Sequence, residues 1–318
     1  MTEHYVRPDV QAYLDAMEAN PRPPMNDETI AMMRQVPKEV MAQMLAALDQ
    51  PVGDLGEDRR LTMPGPQGAI ELRLFDPRKS RGPGPVAVFF HGGGFVVGSI
   101  DTHAGMSAEI ARSLDLPVIS VEYRLAPEHP WPAAPDDCEA AARWIAGNGA
   151  AFGREFTHLI LCGDSAGATL TLVTTLALRE NAAALPVLMQ WPIYPRADSA
   201  HKYASAETFG AGFGLDSTDM AYYEKAYACD DAHWRGSPYL ADQAGLPPTF
   251  LVTAGLDPLR DNGRAYAAKC IEAGVDVTYR EVSGTIHGFA CFRKAIPSAQ
   301  QDFAELLVIA RAMIQALT

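Results

Sequence analysis

HLILCGDSAGATLTLVTTLALRE occupies residues 158–180, and three patterns follow one another within it. Leu159–Cys162 is an apolar run without alternation, which fits a strand buried on both faces, and Ala166–Arg179 carries its apolar residues at helical spacing. Between them stands Gly163-Asp164-Ser165-Ala166-Gly167. A strand, a sharp turn and a helix in that order put the serine hydroxyl at the carboxyl end of the strand. Glycine on both sides leaves room for strained backbone angles. Ser165 is therefore a candidate nucleophile. The plain alternative is an idle serine in a tight turn, so the rest of the chain has to supply a base and an acid.

Outward from this stretch the same alternation of strand and helix continues. Val86–Phe90, Val118–Val121 and Phe250–Thr253 are short apolar runs bounded by Gly, Pro or charge, and Ala69–Phe75 alternates as a half-buried strand does. Helical patterns lie between several of them, at Asp136–Ile145, Leu259–Cys270 and Ser298–Ala316. Strand and helix in turn predict an α/β fold, a mostly parallel sheet with helices on both faces. Residues 1–50 read differently, as two or three short helices broken by PRPP at 21–24, with methionines suited to adaptable packing. Residues 195–235 hold aromatic, glycine and polar residues with no strand-like run, too long a stretch for an ordinary connection. They predict a helical insertion that joins residues 1–50 in one cap over a main domain of residues 51–318.

Composition narrows the function. The chain has 318 residues, 48% hydrophobic and 20% charged, which suits a soluble globular protein with a sizeable core. Its formal charge of −13 repels phosphate backbones and anionic headgroups, so neither nucleic acid nor a membrane surface is expected as partner. Cys138, Cys162, Cys229, Cys270 and Cys291 are odd in number and widely spaced, without a CxxC pair. They read as reduced thiols in a cytoplasmic protein. The start MTEHYVRPDV lacks the marks of a secretion signal, and no stretch reaches the length of a membrane span.

The partners for Ser165 come from three places. His91-Gly92-Gly93-Gly94 follows the strand PVAVFF, and three successive glycines let backbone N–H groups converge on an oxyanion, with Ala166 N–H as a further donor. No Lys-Ser/Thr follows, as a phosphate loop would require. Asp257 ends the strand TFLVTAG in GLDPLRD, where it equally suits a helix N-cap, and Asp261 is a rival acid. His287 follows the strand-like VTYREV in SGTIHGF. The order Ser165, Asp257, His287, each after its own strand, is the order a serine on such a turn requires. His4, His103, His129, His158, His201 and His233 lie in turns, at element edges or in the cap and read as solvated or locally bonded. None has metal-site spacing, and the chemistry needs neither metal nor cofactor. Phe95, Asp164, Trp191, Tyr194, Phe209 and Phe213 are candidate substrate-binding residues, with Tyr222 and Tyr223 as further pocket aromatics.

HGGGF at 91–95, YRLAPEHPWPAA at 123–134, GDSAG at 163–167, DPLRD at 257–261 and HGF at 287–289 resemble the hormone-sensitive-lipase-like family, family IV of the carboxylesterases in the α/β-hydrolase superfamily. The resemblance implies an eight-stranded, largely parallel sheet and a helical cap. It implies hydrolysis of short- to medium-chain acyl esters by Ser165, with His287 as base and Asp257 as its orienting acid. It is also compatible with a homodimer through a sheet edge. The chain departs from the family where Ala168 and Thr169 replace the Gly-Asn that often follows GDSAG. An amidase, formamidase or lactonase would use the same triad, and a small-molecule receptor could keep the fold without catalysis.

Overall fold

Apolar runs that do not alternate need cover on both sides, and here they form the middle of one sheet. The computed structural model describes residues 4–318. Three helices come first, α1 (Pro8–Ala19), α2 (Asp27–Arg34) and α3 (Lys38–Leu48). The strands β1 (Glu57–Gly65) and β2 (Gly68–Asp76) then form a hairpin in which Gly65 faces Gly68. Next come β3 (Gly84–Phe90), α4 (Ala104–Leu114), β4 (Val118–Val121), α5 (Ala133–Gly147), β5 (Phe156–Asp164), α6 (Ala166–Glu180) and β6 (Val187–Ile193). An insertion with α7 (Ala204–Thr208) and α8 (Ser217–Tyr227) precedes β7 (Thr249–Leu256), α9 (Arg260–Glu272), β8 (Val277–Ile286) and α10 (Pro297–Leu317).

The eight strands lie in the order β1-β2-β4-β3-β5-β6-β7-β8. β2 runs antiparallel to both its neighbours, and every pair from β4 to β8 is parallel. This is the α/β-hydrolase architecture that the motifs imply. Successive side chains go to opposite faces: Val86, Val88 and Phe90 pack with Ala141, Ala142 and Ile145 of α5, while Ala87 and Phe89 pack with Ile110 of α4 and Phe303 of α10. Burying one such large side chain contributes about 1.5–3 kcal/mol, so the two-sided run in β3 holds both helix layers. α6 and α9 meet on the α5 side through Leu172, Leu176 and Tyr266.

Three elements differ from the sequence reading. β6 was not expected, because Gln190 and Pro192 interrupt its apolar run; it nevertheless fills the space between β5 and β7. Pro192 has no N–H to give, and the β6–β7 pairing is correspondingly sparse, with Gln190 opposite Thr249 and Ile193 opposite Val252. β1, with its charged residues, is an edge strand, and α4 is a further helix. Residues 195–235 are helical in part, as expected, and α8 lies against the N-terminal helices. Arg22 pairs with Asp219 of α8, and the Tyr222 hydroxyl donates to Asp27 Oδ1 at 2.9 Å. Ile30 of α2 and Tyr222 pack with Val96 and Ala126 beside the glycine loop.

Candidate active site

The turn after β5 is tight because backbone meets backbone. A Cβ on Gly163 would lie 2.5 Å from the Phe90 carbonyl oxygen, and one on Gly167 only 1.9 Å from it. Any larger residue would force β3 and α6 apart. Ser165 at φ +52° sits in a region that costs a non-glycine residue about 1–3 kcal/mol. Its N–H donates to Ile193 O of β6 at 2.9 Å, which pins the strained residue to the sheet.

β7 and β8 bring the other two groups to the same end. The Ser165 hydroxyl donates to His287 Nε2 at 2.8 Å, and His287 Nδ1–H donates to Asp257 Oδ2 at 2.7 Å. The carboxylate thereby fixes the tautomer and leaves Nε2 free to accept. Asp257 is fully buried and its other oxygen takes the Leu259 N–H at 2.7 Å, so the acid both orients the imidazole and shapes the turn into α9. The rival Asp261 accepts from Ser205 N–H and pairs with Arg260 and Arg264, away from the histidine.

Between the glycine loop and the serine turn lies a buried ionic contact. Gly92 N–H donates to Asp164 Oδ1 at 2.8 Å, and His103 Nε2 lies 3.3 Å from the same oxygen. Burial works against a charge on His103, but the Asp164 carboxylate outweighs it and holds the imidazole well above its ordinary pKa. Burial also opposes ionisation of Asp164, and His103 overrides it in turn, keeping the acid below the usual carboxylate range. Cys291 Sγ completes a cluster with these two within 4.8 Å, yet acid and base already satisfy each other. His91 is different. Burial, with His103 beside it, pushes it down to about 3, so it is neutral; its ring stacks on Tyr123, whose hydroxyl donates to His91 O at 2.6 Å. Gly92 N–H is thus engaged. Among the described residues the N–H groups of Gly93 and Gly94 have no backbone acceptor, and Ala166 stands at the first position of α6, where N–H groups have no helical partner.

The fold agrees with known proteins. A family model for the α/β-hydrolase fold matches residues 87–291, more than half of the chain. Carboxylic ester hydrolase LipN of Mycobacterium tuberculosis is 39% identical over 239 residues, 72% of this chain and 63% of that one. Esterase LipI of the same organism is 36% identical over 262 residues, 80% and 81% of the two chains. Ester-hydrolase EH1AB1 from the metagenome of Lake Arreo, solved with a bipyridine phosphonate derivative, superimposes with a TM-score of 0.88 at 36% identity, covering 96% of this chain and 98% of that one. The chain belongs to the hormone-sensitive-lipase-like family of α/β-hydrolases.

Within this hydrolase the aromatic candidates separate. A cavity of about 60 Å³ at Ser165 is bounded by Gly94, Phe95, Ala166, Tyr223 and Tyr227. Phe95 stacks on Tyr227 with ring centroids 3.8 Å apart. Tyr194, also at positive φ, lays its ring against His287 at 4.7 Å. Trp191 lies elsewhere: it is 1% exposed, stacked between Phe250 and Phe303 under the sheet, because alternation along β6 points it at α10. Phe209 is fully buried against Phe213 and beneath Arg260, and neither phenylalanine borders the cavity. Asp164 lies below the turn, where it ties the glycine loop to β5, and does not face the cavity. His103, read as solvated or locally bonded, is buried and paired with it. Sequence reasoning missed Tyr227, Arg196 and Met220 at the cavity, which sit among similar residues of the insertion with no motif to mark them, and Leu259, whose DPLRD stretch was read only for its acids. The family departure at Thr169 has a local use: its hydroxyl donates to Arg196 O at 2.9 Å, tying α6 to the start of the insertion.

Proposed function

We propose that Ser165, His287 and Asp257 are the triad with which this carboxylic ester hydrolase cleaves short- to medium-chain acyl esters. The observation that carries the reading is the unbroken chain of hydrogen bonds from Ser165 Oγ through His287 to Asp257, at 2.8 and 2.7 Å. His287 Nε2 takes the hydroxyl proton as Oγ attacks the ester carbonyl, and Asp257 stabilises the imidazolium that results. The tetrahedral oxygen is received by N–H groups of Gly93, Gly94 and Ala166; Gly92, spent on Asp164, holds the loop in place. His287 then returns the proton to the leaving alcohol, and water attacks the acyl-enzyme by the same route.

Residues 1–50 and the insertion at about 195–235 act as one cap, a reading supported by the contacts of Arg22 and Asp27 with α8. The cavity of about 60 Å³ beneath it has room for only a few water-sized atoms, which favours small acyl groups. The five cysteines, none in a disulfide, support a reducing, cytoplasmic setting. None of the described helices is long and apolar enough to cross a membrane. β1 and β8 are the two edges of the sheet, and a second copy of the chain would add at one of them.

Initial rates on p-nitrophenyl esters from acetyl to palmitoyl, with Ser165→Ala alongside, test the proposal. The expected profile peaks at short or medium chains, with long chains poorly hydrolysed, and falls by about 10⁴-fold or more in the variant. Wild-type rates in clean Ser165→Ala protein would overturn the triad.

A further inference from the structure

Four residues border both the cavity at Ser165 and a separate groove of about 830 Å³ under the insertion: Arg196, Met220, Glu224 and Leu259. A side chain that faces two cavities is the wall between them. The centre of this wall is an ion pair, Arg196 Nη2 to Glu224 Oε1 at 2.9 Å, in which Arg196 is 20% exposed and Glu224 54%. The two partners are held unequally. Arg196 follows the buried Tyr194-Pro195 turn at the end of β6, and its carbonyl is tied to α6 by Thr169. Glu224 projects from α8, a helix held to the rest by side-chain contacts. One side of the wall is thus anchored to the sheet and the other rides on the insertion.

We propose that the Arg196–Glu224 pair, with Met220 and Leu259, sets the length limit of the ester group that enters the cavity at Ser165. This rests on the triad reading, since it assigns a limit to that same site. A group of a few atoms fits inside the wall. A longer chain meets the ion pair end-on and must either push Glu224 outward into solvent or strip water from a charged guanidinium with an alkyl chain, which offers it nothing in return. The groove beyond mixes Lys202, Glu207 and Asp216 with Ala206, Ala211 and Pro258, so a chain that passes the pair meets a surface that is only partly apolar. The pair therefore acts in two ways at once, by occupying space and by making the far wall polar.

The test compares ratios of kcat/KM, which the fraction of folded enzyme cannot move. One series varies the acyl group, octanoyl against acetyl p-nitrophenyl ester; the other varies the alcohol, octyl against ethyl acetate. Glu224→Ala is the first variant, since alanine suits an exposed position of α8. Arg196→Ala removes the anchored partner, and Arg196→Lys keeps the charge. In one of the two series, Glu224→Ala and Arg196→Ala each raise the long-to-short ratio about tenfold or more, the scale on which hydrophobic pockets discriminate methylene groups. Arg196→Lys keeps the ratio close to that of the wild type. Unchanged ratios in both series for Glu224→Ala and Arg196→Ala, with Ser165-dependent hydrolysis intact, overturn the wall and leave the triad standing. Hydrolysis that survives in Ser165→Ala overturns the triad reading instead, whatever the ratios do.

Discussion

Around Ser165, position is fixed by main chain against main chain. Gly163 and Gly167 admit no Cβ beside the Phe90 carbonyl, Ser165 N–H is held by Ile193 O, and Gly92 N–H is held by Asp164. Above the serine, α2 and the segment before it meet α8 through side chains instead: Arg22 with Asp219, Tyr222 with Asp27, and Ile30 against Tyr222. The floor has few ways to change without losing the turn, whereas the roof can exchange one contact for another of similar strength. On the proposed reading, chemistry belongs to the first region and discrimination between substrates to the second. Substitutions in the floor should therefore be costly and specific, and those in the roof mild.

The largest effect is expected at the acid. Asp257→Asn should lower kcat about 10⁴-fold, because an amide cannot hold the imidazole in the tautomer that leaves Nε2 free. Asp261→Asn, whose carboxylate serves Ser205 and two arginines, should stay within about tenfold of the wild type. Equal losses at both positions would break the claim that only the buried acid beneath His287 belongs to the chemistry. Next comes Gly167→Ala. Its methyl would sit 1.9 Å from a carbonyl oxygen, so a stability loss of about 4 kcal/mol or more is expected by denaturant titration. A loss under about 1 kcal/mol would show that the floor can yield.

Asp164→Asn probes the layer beneath. Removing one member of a buried, hydrogen-bonded ion pair costs about 3 kcal/mol, and here it also loosens Gly92. The pH dependence carries a sign. Asp164 is held below the ordinary carboxylate value, so its stabilisation is present above about pH 3.9 and fades as the pH falls. His103 is held above the ordinary histidine value, so its contribution is full below about pH 6.5 and is lost as the pH rises through its raised value. Stability of the wild type should therefore fall away on the acid side more steeply than that of Asp164→Asn. Parallel curves would mean that the pair contributes no pH-dependent energy.

The same contrast explains what the sequence allowed to be read. That Ser165, Asp257 and His287 meet was legible because each follows its own strand and their order is restricted by the direction of a parallel sheet. The GDSAG glycines were legible because close approach of backbone leaves no substitute. His103 was not, since its pairing with Asp164 exists only once β3 and β5 are side by side and α4 starts where it does. Trp191 looked like a pocket aromatic until the register of β6 turned it toward Phe250 and Phe303. β6 itself was hidden by Pro192, a residue that reads as a breaker and here sits beside Gly163 in a buried strand. The cavity wall at Arg196 and Glu224 depends on two segments of the insertion meeting, and neither segment carries a pattern of its own.

Arg22→Ala should give the smallest effect. The guanidinium is 45% exposed, pairs with an Asp219 side chain that is 6% exposed, and also donates to Gly214 O at 2.9 Å. An exposed ion pair contributes about 0–1 kcal/mol, because solvent screens it and ordering a long side chain opposes it. The buried position of Asp219 pushes the value toward the upper end, yet Met25 N–H, 3.4 Å from its other oxygen, still faces the carboxylate when Arg22 is gone. A stability loss of about 1 kcal/mol is therefore expected by denaturant titration, with kcat on p-nitrophenyl acetate within about twofold. Local opening should change more than global stability. Proteolytic nicking near the PRPP segment at 21–24 should become faster, since few other contacts hold that stretch against α8. A loss of about 3 kcal/mol would put Arg22 on the scale of Asp164. The roof would then be as firmly set as the floor, and the division between fixed chemistry and adjustable specificity would not hold for this enzyme.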